Sequence, residues 1–286
     1  MDIQKLRKEY HKNICDNLLV IRKNSSKNDY PNNADGNSKI SVKIAWGILN
    51  RLSTKFIYGN ISGQKAGSVF EQLTKEFLEK SFDLLQHIRP GNWSYSLNRS
   101  ISEFDQYRDL ASIDEIIKNN KELASSLGQD YLISPDIVIG RKPISDIEIN
   151  RIKKIIDDNN PFVKFTPLRE DNIPSSISIL HASISCKWTL RSDRGQNART
   201  EALNLIRNRK GHLPHIVAVT AEPTPTRIAS LALGTGDIDC VYHFALHEMI
   251  DTLHEINDES QLDMLNILLE GRRLRDISDL PFDLAI

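Results

Sequence analysis

The chain has 286 residues, of which 40% are hydrophobic, and its net charge is −1. This length and composition are sufficient for a buried core. The sequence has no apolar run long enough for a transmembrane helix, and its charged N-terminus lacks a signal-peptide pattern, so we expect a soluble, cytoplasmic protein with no membrane partner. Its three widely spaced cysteines argue against a disulfide framework and against a cysteine-based zinc site.

Helices are predicted over most of the N-terminal half. Residues 1–23 look helical, whereas 24–38 are polar, rich in Asn and Ser, and predict a loop or mobile arm that can fold against a partner. Apolar residues at helical spacing predict further helices. These helices span about 40–52, 66–88 and 102–126.

Strands alternate with helices in the C-terminal half. Helices are predicted near 197–208 and 246–270. Strands are predicted at 131–139, 177–190, 215–221 and 239–244. This alternation is typical of an α/β fold, with a central mixed β-sheet flanked by helices. No linker is visible, so we expect one domain over 1–286 with a polar arm at about 24–38.

Residues 183–190 alternate strictly between polar and apolar side chains. Ser183, Ser185, Lys187 and Thr189 point to one face of the predicted strand. A lysine between two such residues faces either solvent or a polar cleft. An isolated strand of this kind is more often solvent-exposed on its polar face, so the neighbouring acids decide between the two interpretations.

Three acids are candidates for the same cleft. Asp136 follows a proline at the entrance of an apolar strand. Glu201 shares a helix face with apolar residues, and so does Glu71, whereas Glu76 lies among charged residues. Embedded carboxylates are costly unless they are paired or bind a metal.

Phosphodiester hydrolysis requires such a set of groups. The attacking water must lose a proton, and the charge that develops on the phosphate must be neutralised. Carboxylates are hard oxygen ligands that suit Mg²⁺, and a nearby lysine can stabilise the charge. Asp, Glu and Lys are abundant, so this spacing alone is a weak signal.

A cationic segment begins at the lysine strand. Residues 185–215 contain seven Lys or Arg and two Asp or Glu, which suits a surface facing DNA phosphates. Within it, Arg191 and Arg194 flank Asp193. Arginine can bind guanine bidentately in the major groove, and aspartate can accept from cytosine. The alternatives are a solvated helix face and a salt-bridged turn.

These segments closely resemble the NgoMIV family of restriction enzymes. The resemblance is densest from 181 to 246, in HASISCKWT, RSDR, AEPTPTR and CVYHFAL, and recurs in DISDLPFDLA near the C-terminus. The family is a CCGG-recognising branch of the PD-(D/E)xK nucleases, with a relocated catalytic glutamate. It implies a PD-(D/E)xK restriction endonuclease-like core.

The resemblance also implies roles for individual residues. The catalytic set would be Asp136, Ser185, Lys187, Glu201 and Glu71. The metal ligands would be Asp136, the backbone carbonyl of Cys186 and Glu201. Arg191, Asp193 and Arg194 would contact the central CCGG, Asp35 and Arg227 the outer base pair, and Gln64 the minor groove. Asn37 stands where the family has serine.

We therefore expect a type II restriction endonuclease of a restriction-modification system. It would use Mg²⁺ to cut double-stranded DNA at a palindromic site, GCCGGC, and by analogy it would be a homotetramer holding two DNA sites. Two alternatives stay open on the residues alone. One is a DNA-binding protein without catalysis, and the other is a structure-specific or repair nuclease of the same superfamily.

Overall fold

A computed structural model describes most of the chain, but not the side chains of 114, 118 and 192–194. The described residues are 2–23, 28–120, 122, 133–157, 162–172, 177–190, 192–234 and 236–286. They form two compact units. The first unit comprises Met1–Arg89, Ile184–Leu203 and Ile216–Ile286, and the second Pro90–Ser183 and Asn204–His215. The expected single domain stays a prediction.

Helices and strands alternate along the described chain, and none of its helices is long and apolar enough to cross a membrane. The helices are α1 (Ile3–Asn17), α2 (Lys39–Leu52), α3 (Gly63–Asp83), α4 (Asp109–Asn119), α5 (Asp146–Ile149), α6 (Ser192–Asn208), α7 (Pro225–Ala232), α8 (Leu246–Ile256), α9 (Glu259–Glu270) and α10 (Leu280–Asp283). The strands are β1 (Val20–Arg22), β2 (Tyr30–Pro31), β3 (Ile57–Tyr58), β4 (Trp93–Leu97), β5 (Ile137–Arg141), β6 (Ile179–Lys187), β7 (His215–Thr220), β8 (Cys240–His243) and β9 (Leu274–Asp276).

The strands form two sheets. A six-stranded sheet has the order β4-β5-β6-β7-β8-β9, and a three-stranded sheet has the order β2-β1-β3. In the larger sheet β4 is antiparallel to β5, whereas β7, β8 and β9 are parallel. This mixed sheet with interspersed helices confirms the predicted α/β class.

In the first unit, helices pack in pairs beside parallel strands. Helix α1 packs against α3, where the rings of Tyr10 and Phe77 lie 5.1 Å apart. Helix α2 packs against α8 so closely that a Cβ at Gly47 would lie 2.2 Å from the side chain of Thr252. Only glycine fits that position without moving one of the two helices.

In the second unit, the side chains of Gln106 and Tyr107 form hydrogen bonds with the backbone of Leu180 and Leu205. The side chain of Gln106 donates to the carbonyl of Leu180 at 2.7 Å and accepts from its N–H at 2.8 Å. The hydroxyl of Tyr107 donates to the carbonyl of Leu205 at 3.0 Å. Both side chains are buried, so these bonds satisfy polar groups that water does not reach.

The N-terminal 38 residues differ from the prediction. Helix α1 ends at Asn17, and β1 follows instead of more helix. Val20 and Ile21 are buried and pair with neighbouring strands, so tertiary contacts override the local helical pattern. Residues 28–38 belong to the fold rather than to a mobile arm, because Asn32 is buried and bonds to the backbone of Leu18 and Val20. Residues 24–27 lie outside the described part.

Several short elements were not predicted, and some bounds differ. Strands β4 and β9 are short, and the predicted helix 246–270 is interrupted at Asn257, whose φ is 55°. The helix predicted at 66–88 ends at Asp83, and the one predicted at 102–126 is, over the described residues 102–120, two 3-10 turns followed by α4. No helix was predicted over 221–227, yet Pro225 begins helix α7. Proline suits the first turn of a helix because its missing N–H needs no partner there.

Candidate functional site

The end of strand β6 carries three of the predicted site residues, Ser185, Cys186 and Lys187. Ser185 is buried and Lys187 is half-buried, so the interpretation of a solvent-exposed polar face is wrong. The carbonyl of Lys187 accepts from the Thr220 hydroxyl at 2.8 Å and from the Ala221 N–H at 3.2 Å. These two bonds fix the lysine backbone to the end of β7.

Helix α3 contacts the residue that follows the lysine. The rings of Phe70 and Trp188 meet edge to face with centroids 5.2 Å apart, and both side chains are buried. Glu71 is the next residue on α3 and is half-buried. Its Oε1 would lie 3.7 Å from a Cβ at Gly67, so the carboxylate extends over the preceding turn of its own helix. Aromatic packing thus brings the helix that carries Glu71 to the end of β6.

Helix α6 carries Glu201 beside a buried stripe. Ala198, Ala202 and Leu205 are buried at the spacing of one helix face, and Glu201 at its edge is half-buried. The spacing predicted this placement. Neither Glu71 nor Glu201 is fully buried, so each carboxylate is accessible to a ligand.

Asp136 belongs to the second unit and lies immediately before β5. It is half-buried, and the preceding Pro135 is buried. Its carbonyl accepts from the N–H of Asn98 at 3.2 Å, which continues the pairing of β4 with β5. The backbone of Asp136 is therefore held at the strand entrance, as the sequence indicated. Its convergence with Lys187 and Glu201 stays a prediction.

Two predicted base-contacting residues form an ion pair with each other. The carboxylate of Asp35 accepts from Nη2 of Arg227, 192 positions later in the chain. Both side chains are partly exposed, at 30% and 38%. Asp35 is also held locally, because its Oδ1 accepts from the N–H of Asn37 at 3.0 Å and its own N–H donates to Ser41 Oγ at 3.0 Å.

The other residues predicted to contact DNA are Arg191, Asp193, Arg194 and Gln64. Arg191 lies outside the described residues, and Asp193 and Arg194 lie in the first turn of α6, with side chains that are not described. Gln64 is exposed in the first turn of α3, next to the Ser62 cap. An exposed residue at this position is available to an external ligand.

A family model for the NgoMIV restriction enzyme matches residues 10–286. The chain belongs to the NgoMIV restriction enzyme family. It is 48% identical over 285 residues to the type II restriction enzyme NgoMIV of Neisseria gonorrhoeae, covering 98% of this chain and 97% of that relative. The protein is therefore a type II restriction enzyme, a DNA phosphodiester hydrolase, and the resemblance noted in the sequence is confirmed.

Solved structures of other restriction endonucleases are more distant from this NgoMIV-family chain. A BsaWI–DNA complex is 12% identical, with a TM-score of 0.31 over 73% of this chain and 65% of that one. Bse634I with cognate DNA is 13% identical, with a TM-score of 0.35 over 85% and 98% of the two chains.

The donor groups of the NgoMIV-family chain suit Mg²⁺ better than zinc. Its three cysteines are reduced and buried. Within the described residues, no three His, Cys, Asp or Glu side chains are placed to hold a metal ion together. The predicted ligand set needs only the carboxylates of Asp136 and Glu201 and the carbonyl of Cys186. Such oxygen donors fit Mg²⁺, which binds one or two carboxylates and keeps several waters.

One buried acid of the NgoMIV-family chain was missed in the sequence. Glu222 is fully buried after β7, and its carboxylate accepts from the N–H of Leu190 at 3.0 Å and from the Thr224 hydroxyl at 2.5 Å. Burial raises the pKa of Glu222, although these hydrogen bonds and Arg227 oppose the shift. The signal for it was an acid directly after the strand predicted at 215–221.

Proposed function

We propose that this enzyme is a Mg²⁺-dependent endonuclease that cuts both DNA strands at the palindrome GCCGGC. It would act in the cytoplasm within a restriction-modification system. The observation that carries the target site is the Asp35–Arg227 ion pair. The family resemblance assigns these two residues to one outer base pair, and they are in contact although 192 positions separate them.

The pair suits a G·C base pair in chemical terms. Arginine can donate to guanine O6 and N7, and aspartate can accept from cytosine N4. The same pairing rules apply to the central CCGG, for which we propose Arg191, Asp193 and Arg194. Gln64, exposed at the start of α3, would contact the minor groove.

For the reaction, we propose a PD-(D/E)xK-type site at the end of β6. Asp136, Glu201 and the carbonyl of Cys186 would hold Mg²⁺, which supplies charge neutralisation at the scissile phosphate when bound. The Lys187 ammonium would stabilise charge on the phosphate and orient the attacking water. Ser185 stands where the motif usually has an acid, and Glu71 would support the cluster.

A palindrome presents the same sequence on both strands, so two copies of the chain are needed to cut it symmetrically. We propose a homotetramer that holds two DNA sites, by analogy with the family. In that case, a plasmid with two sites should be cut faster than a plasmid with one site.

Plasmid digestion tests the proposal. Three plasmids would differ only at one locus, which carries GCCGGC, the same site changed at its outer base pairs, or the same site changed at its centre. We expect discrete cleavage of the first plasmid alone, with Mg²⁺ and not with EDTA. Sequencing of the fragment ends would confirm the site.

Other outcomes would contradict specific parts of the proposal. Cleavage of the outer-changed plasmid at an equal rate would refute the role given to Asp35 and Arg227. Binding without cleavage would indicate a protein that has lost catalysis. Cleavage of branched or damaged DNA regardless of sequence would indicate a structure-specific nuclease.

A further inference from the structure

Glu222 lies between two parts of the proposed DNA-reading surface. Its Oε2 accepts from the N–H of Leu190 at 3.0 Å, and Leu190 directly precedes Arg191. The same oxygen lies 4.0 Å from Nη1 of Arg227. One carboxylate oxygen therefore bonds to Leu190, the residue before the central recognition residues, and faces the arginine assigned to the outer base pair.

The orientation of this carboxylate is fixed by its neighbours. Oε1 accepts from the Thr224 hydroxyl at 2.5 Å and from the Thr224 N–H at 3.3 Å. The carbonyl of Thr224 in turn accepts from the N–H of Arg227 at 3.0 Å. The N–H of Glu222 donates to Thr220 Oγ1, which itself donates to the carbonyl of Lys187. Hydrogen bonds thus connect Glu222 to the helix of Arg227 and to the strand end that carries the catalytic lysine.

Burial distinguishes Glu222 from the other acid that contacts Arg227. Asp35 is 30% exposed and can turn towards a cytosine, whereas the side chain of Glu222 is completely buried. If Asp35 contacts a cytosine, Arg227 would lose its hydrogen-bonded partner. Glu222 remains close to the guanidinium, in surroundings of low dielectric where a charge is felt strongly.

We propose that Glu222 is a positioning residue that holds Arg227 in place for the outer base pair and so sets discrimination at that pair. This inference rests on the proposed role of Arg227. It assigns to Glu222 an effect on the choice of site, which a residue that only stabilises the fold would not have.

Two substitutions separate the charge of Glu222 from its bond to Leu190. In E222Q the amide oxygen can still accept from Leu190 and the NH₂ can donate to Thr224 Oγ1, so the losses are the negative charge facing Arg227 and the long bond from the Thr224 N–H. In E222A the N–H of Leu190 loses its buried acceptor as well. Comparison of the two variants distinguishes the effect on Arg227 from a general displacement of the 187–190 segment.

The measurement is kcat/KM on the three plasmids. The outer-pair ratio is kcat/KM for GCCGGC divided by kcat/KM for the site changed at its outer base pairs. The central-pair ratio is the same quotient for the site changed at its centre. We expect E222Q to lower the outer-pair ratio about fivefold, part of what one base contact provides, and to leave the central-pair ratio within about twofold. E222A should in addition lower kcat on GCCGGC about tenfold, because Leu190, three residues after Lys187, loses its acceptor and the segment that carries the lysine is held less firmly. In an R227A chain, E222Q should have no further effect on the outer-pair ratio.

The control is E248Q, which alters a part-buried carboxylate paired with Arg7 in a different part of the same unit. It should leave both ratios unchanged even where it lowers thermal stability. An equal loss on all three plasmids in E222Q, an unchanged outer-pair ratio, or an additive effect in R227A would overturn the inference. If the wild-type chain itself does not discriminate at the outer pair, the proposed function has failed, and the inference with it.

Discussion

Replacing Arg7 by methionine is expected to lower the free energy of unfolding by about 3–5 kcal/mol at neutral pH, because it leaves buried carboxylates without their counter-charge. Arg7 donates to both oxygens of Glu248, at 2.8 and 2.7 Å, and to both oxygens of Asp276, at 2.8 Å each. The Asp276 side chain is 2% exposed, and those of Arg7 and Glu248 are 16% and 17% exposed. The cluster joins α1 to β9, and Arg7 precedes residue 10, where the family match begins.

The pKa of Asp276 gives a separate value for part of the expected loss in the free energy of unfolding. Burial raises the pKa of Asp276, but the hydrogen bonds and charge of Arg7, with hydrogen bonds from Ser278, outweigh burial and lower it from 3.8 to about 2. That shift corresponds to about 2 kcal/mol of stability. Because the folded pKa is depressed, this contribution is present above about pH 4 and is lost as the pH falls through about 2.

Urea unfolding from pH 7 down to about pH 1.5 would measure both effects. The difference between the wild-type chain and R7M should be largest at neutral pH and should shrink by about 2 kcal/mol as Asp276 gains its proton. The matched control is Lys80→Met, which breaks the exposed Lys80–Glu9 pair and should cost at most about 1 kcal/mol. Equal losses in R7M and Lys80→Met, or a loss in R7M that does not depend on pH, would refute the reasoning.

Three further predictions concern catalysis, specificity and acid stability. Asp136→Ala should abolish cleavage while retaining site-specific binding in a gel-shift titration, and a comparable loss of binding would argue against a metal role. Arg194→Ala should lower discrimination at one G·C pair by about 1–3 kcal/mol in competitive digestion, whereas an equal loss on every sequence would mark a phosphate contact. Burial lowers the pKa of His243 from 6.5 to about 4, so its contribution to stability, about 3 kcal/mol, should be lost as the pH falls through this range. His243→Gln should flatten that dependence in urea unfolding, and an unchanged slope would exclude His243 as its source.

Features set by local periodicity were predictable from the sequence. The polar–apolar alternation of 183–190 predicted strand β6, and proline before Asp136 predicted a strand entrance. The apolar spacing around Glu201 predicted its place at the edge of a buried stripe. In each case a few neighbouring side chains determine the geometry, so no long-range contact has to be known.

Features set by distant contacts were not predictable. Strand β4 is five residues long, and its place depends on antiparallel pairing with β5. Glu222 gains its surroundings from Leu190, 32 positions earlier. The pairing of Asp35 with Arg227 was likewise invisible, although the family resemblance had singled out both residues. Charge alone does not indicate which of many acids and bases meet in the folded chain.

The Asp35–Arg227 pair has a consequence for how the outer base pair would be recognised. In the chain without DNA the two groups form an ion pair, and in the proposed role each would exchange this partner for a base. On the proposed assignment, a G·C pair replaces the lost bond, because guanine accepts from the arginine and cytosine donates to the aspartate. In an A·T pair, adenine has an amino group where guanine has O6, so the arginine keeps only N7 as an acceptor, and thymine has an oxygen where the aspartate needs a donor. The aspartate would then have no replacement partner and the arginine only part of one, so the cost of opening the ion pair is itself part of the specificity.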